Sequence, residues 1–319
     1  MRRARVKNIG APLFLLSIII ENGIALCYNL TMNYAKVKSY AKINLTLDLL
    51  GVSGGYHMLD SVVASVGLYD LITAKKRSDE LVGVYMHGEG SECIPYGDNN
   101  AAKAAERFVQ VFGTSGADIN VWKNIPLGAG LGGSSADVAG VLNAMAKLYG
   151  VQDFKGLKGV ADSLGSDCGY MLTGGYARLF NRGEYVIPVK CGSKLNIGLL
   201  IPDSKVSTAE CYAAYDRLPV EKSYNSENAA KALISGNLEE LGKSLVNGLT
   251  CAAKSLNGDI GRAFDELMEF APLGVNMTGS GSCVYALFEN DQFLQYAKSR
   301  YRGKFRFIPT QTVIISKED

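Results

Sequence analysis

The sequence predicts a chain of two domains of the α/β or α+β class, with one cleft between them. Three observations lead there. Strand-like and helix-like stretches alternate through residues 34–315. A glycine-rich loop near residue 128 opens a helix, and a second glycine-rich element near residue 279 runs into an apolar β-like stretch, so that the two loops frame a cleft. A length of 319 residues is enough for one or two domains with a sizeable core.

The elements follow in order. Residues 1–31 read differently from the rest. Arg2, Arg3, Arg5 and Lys7 precede an apolar run over 11–20 that Glu21 and Asn22 interrupt. The run is too short to cross a membrane. It reads either as a signal peptide or as upstream sequence before a start at Met32. The second reading is favoured, because M-N-Y-A-K-V-K-S-Y begins directly with strand-like text. An extension of this kind is expected to pack loosely and to lie outside the fold. Residues 36–50 alternate and are β-rich, a strand or strand pair. Lys42 and Asn44, two apart, share one face of it. Gly51 to His57 is a turn, and residues 59–71 form a strand with a break at Gly67. Residues 72–98 read as strands joined by polar turns. Asp98 and Asn99 can cap a helix over 100–112, and a short strand over 118–123 leads into the glycine loop. The helix after the loop ends at Gly150. A further helix covers 153–164, and 176–188 is a hairpin turning at Asn181-Arg182-Gly183.

The second half begins near residue 190 with a buried strand over 195–201. Ser207-Thr208-Ala209-Glu210 is a capping-box pattern that opens a helix to Tyr215. Helices are expected over 226–235, 238–245, 260–270 and 292–301, with strand text over 275–288 and a last strand over 305–315. No internal repeat is visible.

Composition narrows the function classes. The chain is 47% apolar and 20% charged, as ordinary globular proteins are. A net charge of +2, with both signs interspersed, gives no argument for nucleic acid or a membrane surface as partner. Anionic small ligands need only local charge. The seven cysteines lack a C-x-x-C pair, and with only His57 and His87 beside them they argue against zinc. Scattered single cysteines fit a reducing, cytoplasmic compartment.

The chemistry concentrates in Pro126, Leu127, Gly128, Ala129, Gly130, Leu131, Gly132, Gly133, Ser134 and Ser135. Glycine lets the backbone turn to positive φ and lets a ligand approach the N–H groups. The first helical turn then offers unpaired N–H donors and positive dipole charge, which together make an anion cradle. No Gly-Lys-Ser/Thr follows, so the loop is not a Walker motif. Asp167, between small residues at a helix or turn start, reads on its own as a cap.

Taken together, these segments resemble the GHMP superfamily of small-molecule kinases. Residues 126–135 match its ATP-phosphate loop, Met277-Thr278-Gly279-Ser280-Gly281-Ser282-Cys283 its C-terminal glycine motif, and Ala41-Lys42-Ile43-Asn44 its N-terminal motif. The resemblance covers residues 34–315. It implies an α+β, two-domain GHMP kinase fold: a ribosomal-protein-like α/β domain over 32–188 and a ferredoxin-like α+β domain over 189–319, with the active site in the cleft. It implies ATP and Mg²⁺ as cofactors, a small-molecule acceptor and no nucleic-acid or membrane partner, and a homodimer is compatible with it. By the resemblance, Asp167 accepts the acceptor's hydroxyl proton, Lys42 neutralises charge on the transferring phosphoryl, and Asn44 positions the substrate. Gly279, Ser280, Gly281 and Ser282 close the cleft. The stretches A-K-I-N-L (41–45), G-G-Y-H (54–57), L-Y-D (68–70), D-N (98–99) and G-S-D-C (165–168) point to the branch that acts on a cytidine-diphosphate-linked methylerythritol. In that branch Tyr56 stacks on the cytosine, His57 hydrogen-bonds it and Tyr212 stacks on its other face.

The chain departs from the family's pattern at two places. The loop ends Gly132-Gly133-Ser134-Ser135-Ala136-Asp137 rather than G-G-G-S-S-D, so no residue is assigned as a direct metal ligand. Asn247-Gly248-Leu249-Thr250 stands where relatives carry Asn-Asp-Leu-Glu. Two other readings share the motifs. One is a homoserine or mevalonate kinase, against which Tyr56 and His57 argue. The other is a nucleotide-binding homologue without catalysis, against which Lys42, Asn44 and Asp167 argue.

Overall fold

The computed structural model describes residues 15–19, 25–29, 33–95, 99–218 and 224–314. Strands β1 (Leu15–Ile19) and β2 (Ala25–Asn29) pair antiparallel as a sheet of their own. The remainder of the N-terminal extension lies outside the described residues, as does Asp98.

The N-terminal sheet is built on one strand. β3 (Tyr34–Asn44) and β4 (Thr46–Ser53) both pair antiparallel with β5 (Tyr56–Lys76), which runs without interruption through Gly67. The break expected at Gly67 is a shift in register against β3 between Tyr40 and Ala41. A bulge of this kind turns side chains without ending the ladder. After β6 (Gly83–His87) and helix α1 (Asn100–Phe112) comes β7 (Ala117–Trp122), which pairs antiparallel with β5 and parallel with β6. Asn99 caps α1 by accepting the Ala101 N–H, and Gly113 ends it with φ of 61°. Helices α2 (Gly133–Tyr149), α3 (Phe154–Asp162) and α4 (Cys168–Met171) follow, then the hairpin β8 (Tyr176–Asn181) and β9 (Tyr185–Pro188), in which β8 also pairs with β5. α2 is buried almost all round, through Val138, Val141, Leu142, Met145 and Leu148, in a core shared with Phe108, Ile119 and Tyr170. Burying such side chains, at ~2 kcal/mol each, anchors the helix whose first turn follows the glycine loop.

The second half contains β10 (Asn196–Ile201), α5 (Thr208–Tyr215), α6 (Ser226–Ser235), α7 (Leu238–Ser244), β11 (Val246–Asn247), α8 (Thr250–Leu256), α9 (Gly258–Met268), β12 (Gly274–Met277), β13 (Val284–Phe288), α10 (Asp291–Arg300) and β14 (Arg306–Gln311). Its sheet runs β12-β13-β10-β14, with every pair antiparallel. Strand, helices, strand, strand, helix, strand along the chain, with that order across the sheet, is the ferredoxin-like arrangement. The helix expected over 260–270 starts earlier, at Gly258, because Asn257 accepts the Asp259 N–H as its cap. Helix α8 was not expected; Ala252 and Ala253 bury it without a distinct apolar stripe.

The halves are stitched together. β11 adds to β4 as a parallel strand. Thr312 Oγ1 lies 2.6 Å from the Tyr176 hydroxyl and accepts the Leu195 N–H at 2.7 Å. Ile43, Val62 and Leu131 from the first half share a buried core with Ile197, Leu199 and Tyr285 from the second.

Candidate active site

The two glycine loops meet face to face. Gly128, Gly130 and Gly132 take φ of 69°, 75° and 73°. At Gly130 a side chain is impossible, since a Cβ would lie 2.2 Å from the Thr278 carbonyl oxygen. The Thr278 hydroxyl donates to the Gly130 carbonyl at 3.1 Å, and the Cys283 N–H donates to the Ala129 carbonyl at 3.1 Å. The Lys42 N–H, from β3, donates to the Leu131 carbonyl at 3.0 Å. Three segments remote in sequence are thereby locked around the start of α2.

Lys42 and Asp167 face each other across this point. Lys42 Nζ lies 3.3 Å from Asp167 Oδ2 and donates to Asn44 Oδ1 at 2.6 Å. The lysine side chain is 6% exposed and the aspartate 31%, so the carboxylate is the member of the pair that a ligand can reach. Asp167 stands at the N-cap position of α4 but makes no side-chain cap bond. The Asn44 amide ties the motifs together: it donates to Ser61 Oγ at 2.9 Å and accepts from the Gly279 N–H at 2.9 Å, and its oxygen lies 3.3 Å from Thr278 Oγ1. It lines the cleft while holding Lys42 and the second loop.

The cleft encloses about 520 Å³. All of residues 126–135 line it, with Lys42, Asn44, Asp167, Tyr212, Gly279 and Ser280. Gly281 and Ser282 stand behind that surface, where Ser282 is buried and donates to the Pro202 carbonyl at 3.4 Å. Ser280 Oγ lies 2.9 Å from Thr208 Oγ1 at the start of α5, fastening the loop to the helix that carries Tyr212. At the far end the His57 ring lies on Tyr212, with centroids 4.7 Å apart and planes at 32°, and its Nε2 is 2.7 Å from Asp216 Oδ1. Burial, followed by the Asp167 carboxylate, pushes the Tyr212 phenol up to about 12, so it stays neutral. Tyr56 stands apart at the rim, exposed, with the Arg182 guanidinium 4.0 Å from its ring centre.

Sequence reasoning missed three features. Arg182, which lines the cleft, read only as a turn residue. Thr208 was visible only as part of a capping pattern. Beneath the loop lies a buried charge cluster: the Lys123 ammonium pairs with Asp70 and, at 2.7 Å, with Asp137 Oδ2. Asp70 Oδ1 accepts the N–H groups of Asn124 and Ile125 at 2.6 and 2.9 Å, fixing the chain as it enters the loop. Asp137 Oδ1 is buried without a hydrogen-bond partner. Burial raises the Asp137 carboxyl to about 7, with Lys123 opposing and Asp70 adding to the rise. In the departing stretch 247–250, Asn247 donates to the carbonyls of Met277 and Gly279, both at 2.8 Å, so it braces the second loop without a carboxylate.

A glycine cradle at a helix start, a lysine–aspartate pair opposite it and an aromatic shelf beyond are the parts of a phosphotransferase acting on a small molecule. The GHMP kinases N terminal domain model matches residues 99–175, and the GHMP kinases C terminal model matches 229–303. The chain belongs to the GHMP kinase family and is an ATP-dependent small-molecule kinase. It is 36% identical over 258 residues to the 4-diphosphocytidyl-2-C-methyl-D-erythritol kinase of Caldicellulosiruptor saccharolyticus, covering 80% of this chain and 88% of that one. To the protein of that name from Clostridium perfringens it is 32% identical, covering 85% and 95%. A crystal structure of 4-(cytidine 5'-diphospho)-2C-methyl-D-erythritol kinase superposes with a TM-score of 0.73 at 28% identity, over 87% of this chain and 98% of that one. Homoserine kinase from Cytophaga hutchinsonii superposes at 0.70 with 17% identity, over 91% and 98%, and shares the fold. No helix among the described residues is long and apolar enough to cross a membrane.

Proposed function

We propose that this chain transfers the γ-phosphoryl group of ATP to the 2-hydroxyl of 4-diphosphocytidyl-2-C-methyl-D-erythritol, a step of the non-mevalonate isoprenoid pathway. One observation carries the reading: the Lys42–Asp167 pair faces the glycine loop while the Tyr212–His57 shelf lies in reach of the same cleft. Phosphoryl transfer asks a protein for positioning, charge neutralisation and an oriented hydroxyl.

Asp167 accepts the proton of the attacking hydroxyl, its open carboxylate oxygen being the reachable base beside the loop. Lys42, held by Asn44, offsets charge on the transferring group. N–H groups of residues 127–135 hold the ATP phosphates at the start of α2. Asn44 positions the substrate by fixing Lys42 and Gly279 together. Tyr212 and Tyr56 offer ring faces to the cytosine and His57 offers a ring nitrogen.

Among the described residues no group of three or more His, Cys, Asp and Glu side chains could hold a metal. The donors that line the cleft, the hydroxyls of Ser134 and Ser135 and the Asp167 carboxylate, suit an ion carried in on the phosphates of ATP. Mg²⁺ held there would neutralise the phosphate charge.

A coupled assay of ADP release against a panel of alcohols tests the proposal. Turnover is expected with the cytidylylated methylerythritol and not with homoserine or mevalonate. Preference for either of the latter would overturn the assignment.

A further inference from the structure

Of the charged side chains that line the cleft, one is not used by the phosphoryl-transfer chemistry. Arg182 lies in the turn between β8 and β9, a tight reversal in which Asn181 and Gly183 take φ of 61° and 109°. The turn borders the catalytic centre: a Cβ on Gly183 would be in ordinary contact, at 3.5 Å, with Asp167 Oδ1. Glu184 accepts the Arg182 backbone N–H at 2.9 Å. The guanidinium itself has no carboxylate within ion-pair distance among the described residues, unlike neighbouring Arg178, which pairs with Asp60 at 2.6 Å. It rests over the Tyr56 ring instead, at the mouth of the cleft that Asp167 and Tyr212 line.

An arginine without a paired carboxylate, lining the same cleft as a catalytic aspartate, is matched in charge and shape to a phosphate. A cation on an exposed aromatic face is held by only a modest attraction, so a dianionic group can draw it away. We infer that Arg182 reads the diphosphate of the acceptor, leaving the Tyr56 face when the diphosphate arrives and opening that face to the base. This rests on the proposed cytidine-diphosphate acceptor. It makes Arg182 a specificity-determining residue and couples recognition of the two ends of the nucleotide: the phosphate removes the side chain that covers the ring.

Calorimetric titration of CDP and of cytidine tests the inference, with the ATP loop filled by the non-hydrolysable analogue AMP-PNP. For the unaltered chain CDP is expected to bind about tenfold or more tightly than cytidine, as charge-assisted hydrogen bonds imply. Arg182→Gln should abolish that difference while cytidine binds at least as well as before, since the Tyr56 face is then uncovered. Arg182→Lys, which keeps the charge and loses the planar fork, should restore part of it. An unchanged CDP-to-cytidine ratio in Arg182→Gln would overturn the inference while leaving the cytidylylated acceptor standing. If the unaltered chain binds neither ligand, the acceptor reading itself fails and the role of Arg182 fails with it.

Discussion

The ammonium of Lys42 and the carboxylate of Asp167 stand 3.3 Å apart, one on β3 and the other at the start of α4. Lys42 is held from behind by Asn44, and Asp167 is freed from capping duty, so the pair points into the cleft rather than into the scaffold. Asp167→Asn keeps the shape and removes the proposed base. Its turnover is expected to fall by roughly 10²–10⁴ with the Michaelis constant for ATP nearly unchanged. Steady-state kinetics on both substrates measure this, and undiminished turnover would exclude Asp167 as the base.

Gly130→Ala should separate the two loops. The backbone there has φ of 75°, and the added carbon would meet the Thr278 carbonyl oxygen at 2.2 Å. The left-handed conformation alone costs an alanine about 1–2 kcal/mol, and the clash adds to it. A raised Michaelis constant for ATP and a lower urea midpoint are expected together. Gly150→Ala, at a helix end with open space around it, should lower the midpoint without touching ATP binding.

Tyr212→Ala removes the aromatic surface on which His57 rests. Base stacking on an aromatic side chain contributes ~1–3 kcal/mol, so the Michaelis constant for the cytidylylated acceptor should rise about tenfold or more. Tyr212→Phe should behave like the unaltered chain. Equal losses in both variants would shift the role from the ring to the hydroxyl.

Stability should depend on pH through Asp137. Two carboxylates and one ammonium share the buried cluster, and Asp70 has its N–H donors, so the proton settles on Asp137, whose second oxygen has no partner. Its carboxyl is raised to about 7 in the folded chain, by burial first. An unfolded chain releases that proton near the ordinary carboxylate value of about 4. Between these values the folded chain binds one proton more, so its stability falls as pH rises, by up to about 1.4 kcal/mol per unit, and levels off above about 7. Asp137→Asn, neutral throughout, should flatten the urea-unfolding profile between roughly pH 5 and 7. An equal slope in both proteins would place the effect elsewhere.

Local chemistry was legible in the chain where neighbours in sequence settle it. Helix α1 begins after Asn99 and ends before Gly113 because a side-chain cap and a left-handed glycine are local devices. The glycine loop was legible for the same reason, since glycines followed by serines at a helix start act through their own backbone. Helix α8 was not, because its burial comes from partners far along the chain. Gly67 marks a shift in the ladder and not a break in the strand: β5 slips register against β3 there and changes partner from β8 to β7 on its other edge, which is visible only in the sheet.

By itself, then, the sequence determined the two-domain class, the glycine loops and the residue types available for phosphoryl transfer. Tertiary structure decided which of them meet. Lys42 reaches Asp167 and Asn44 reaches Thr278 and Gly279 only because β3 and the second loop pack against the start of α2. Arg182 became part of the cleft, and Tyr56 moved to its rim, because a hairpin turn packs next to the Asp167 carboxylate. Such contacts join residues far apart in the chain, and the close packing that fixes them belongs to the folded core as a whole.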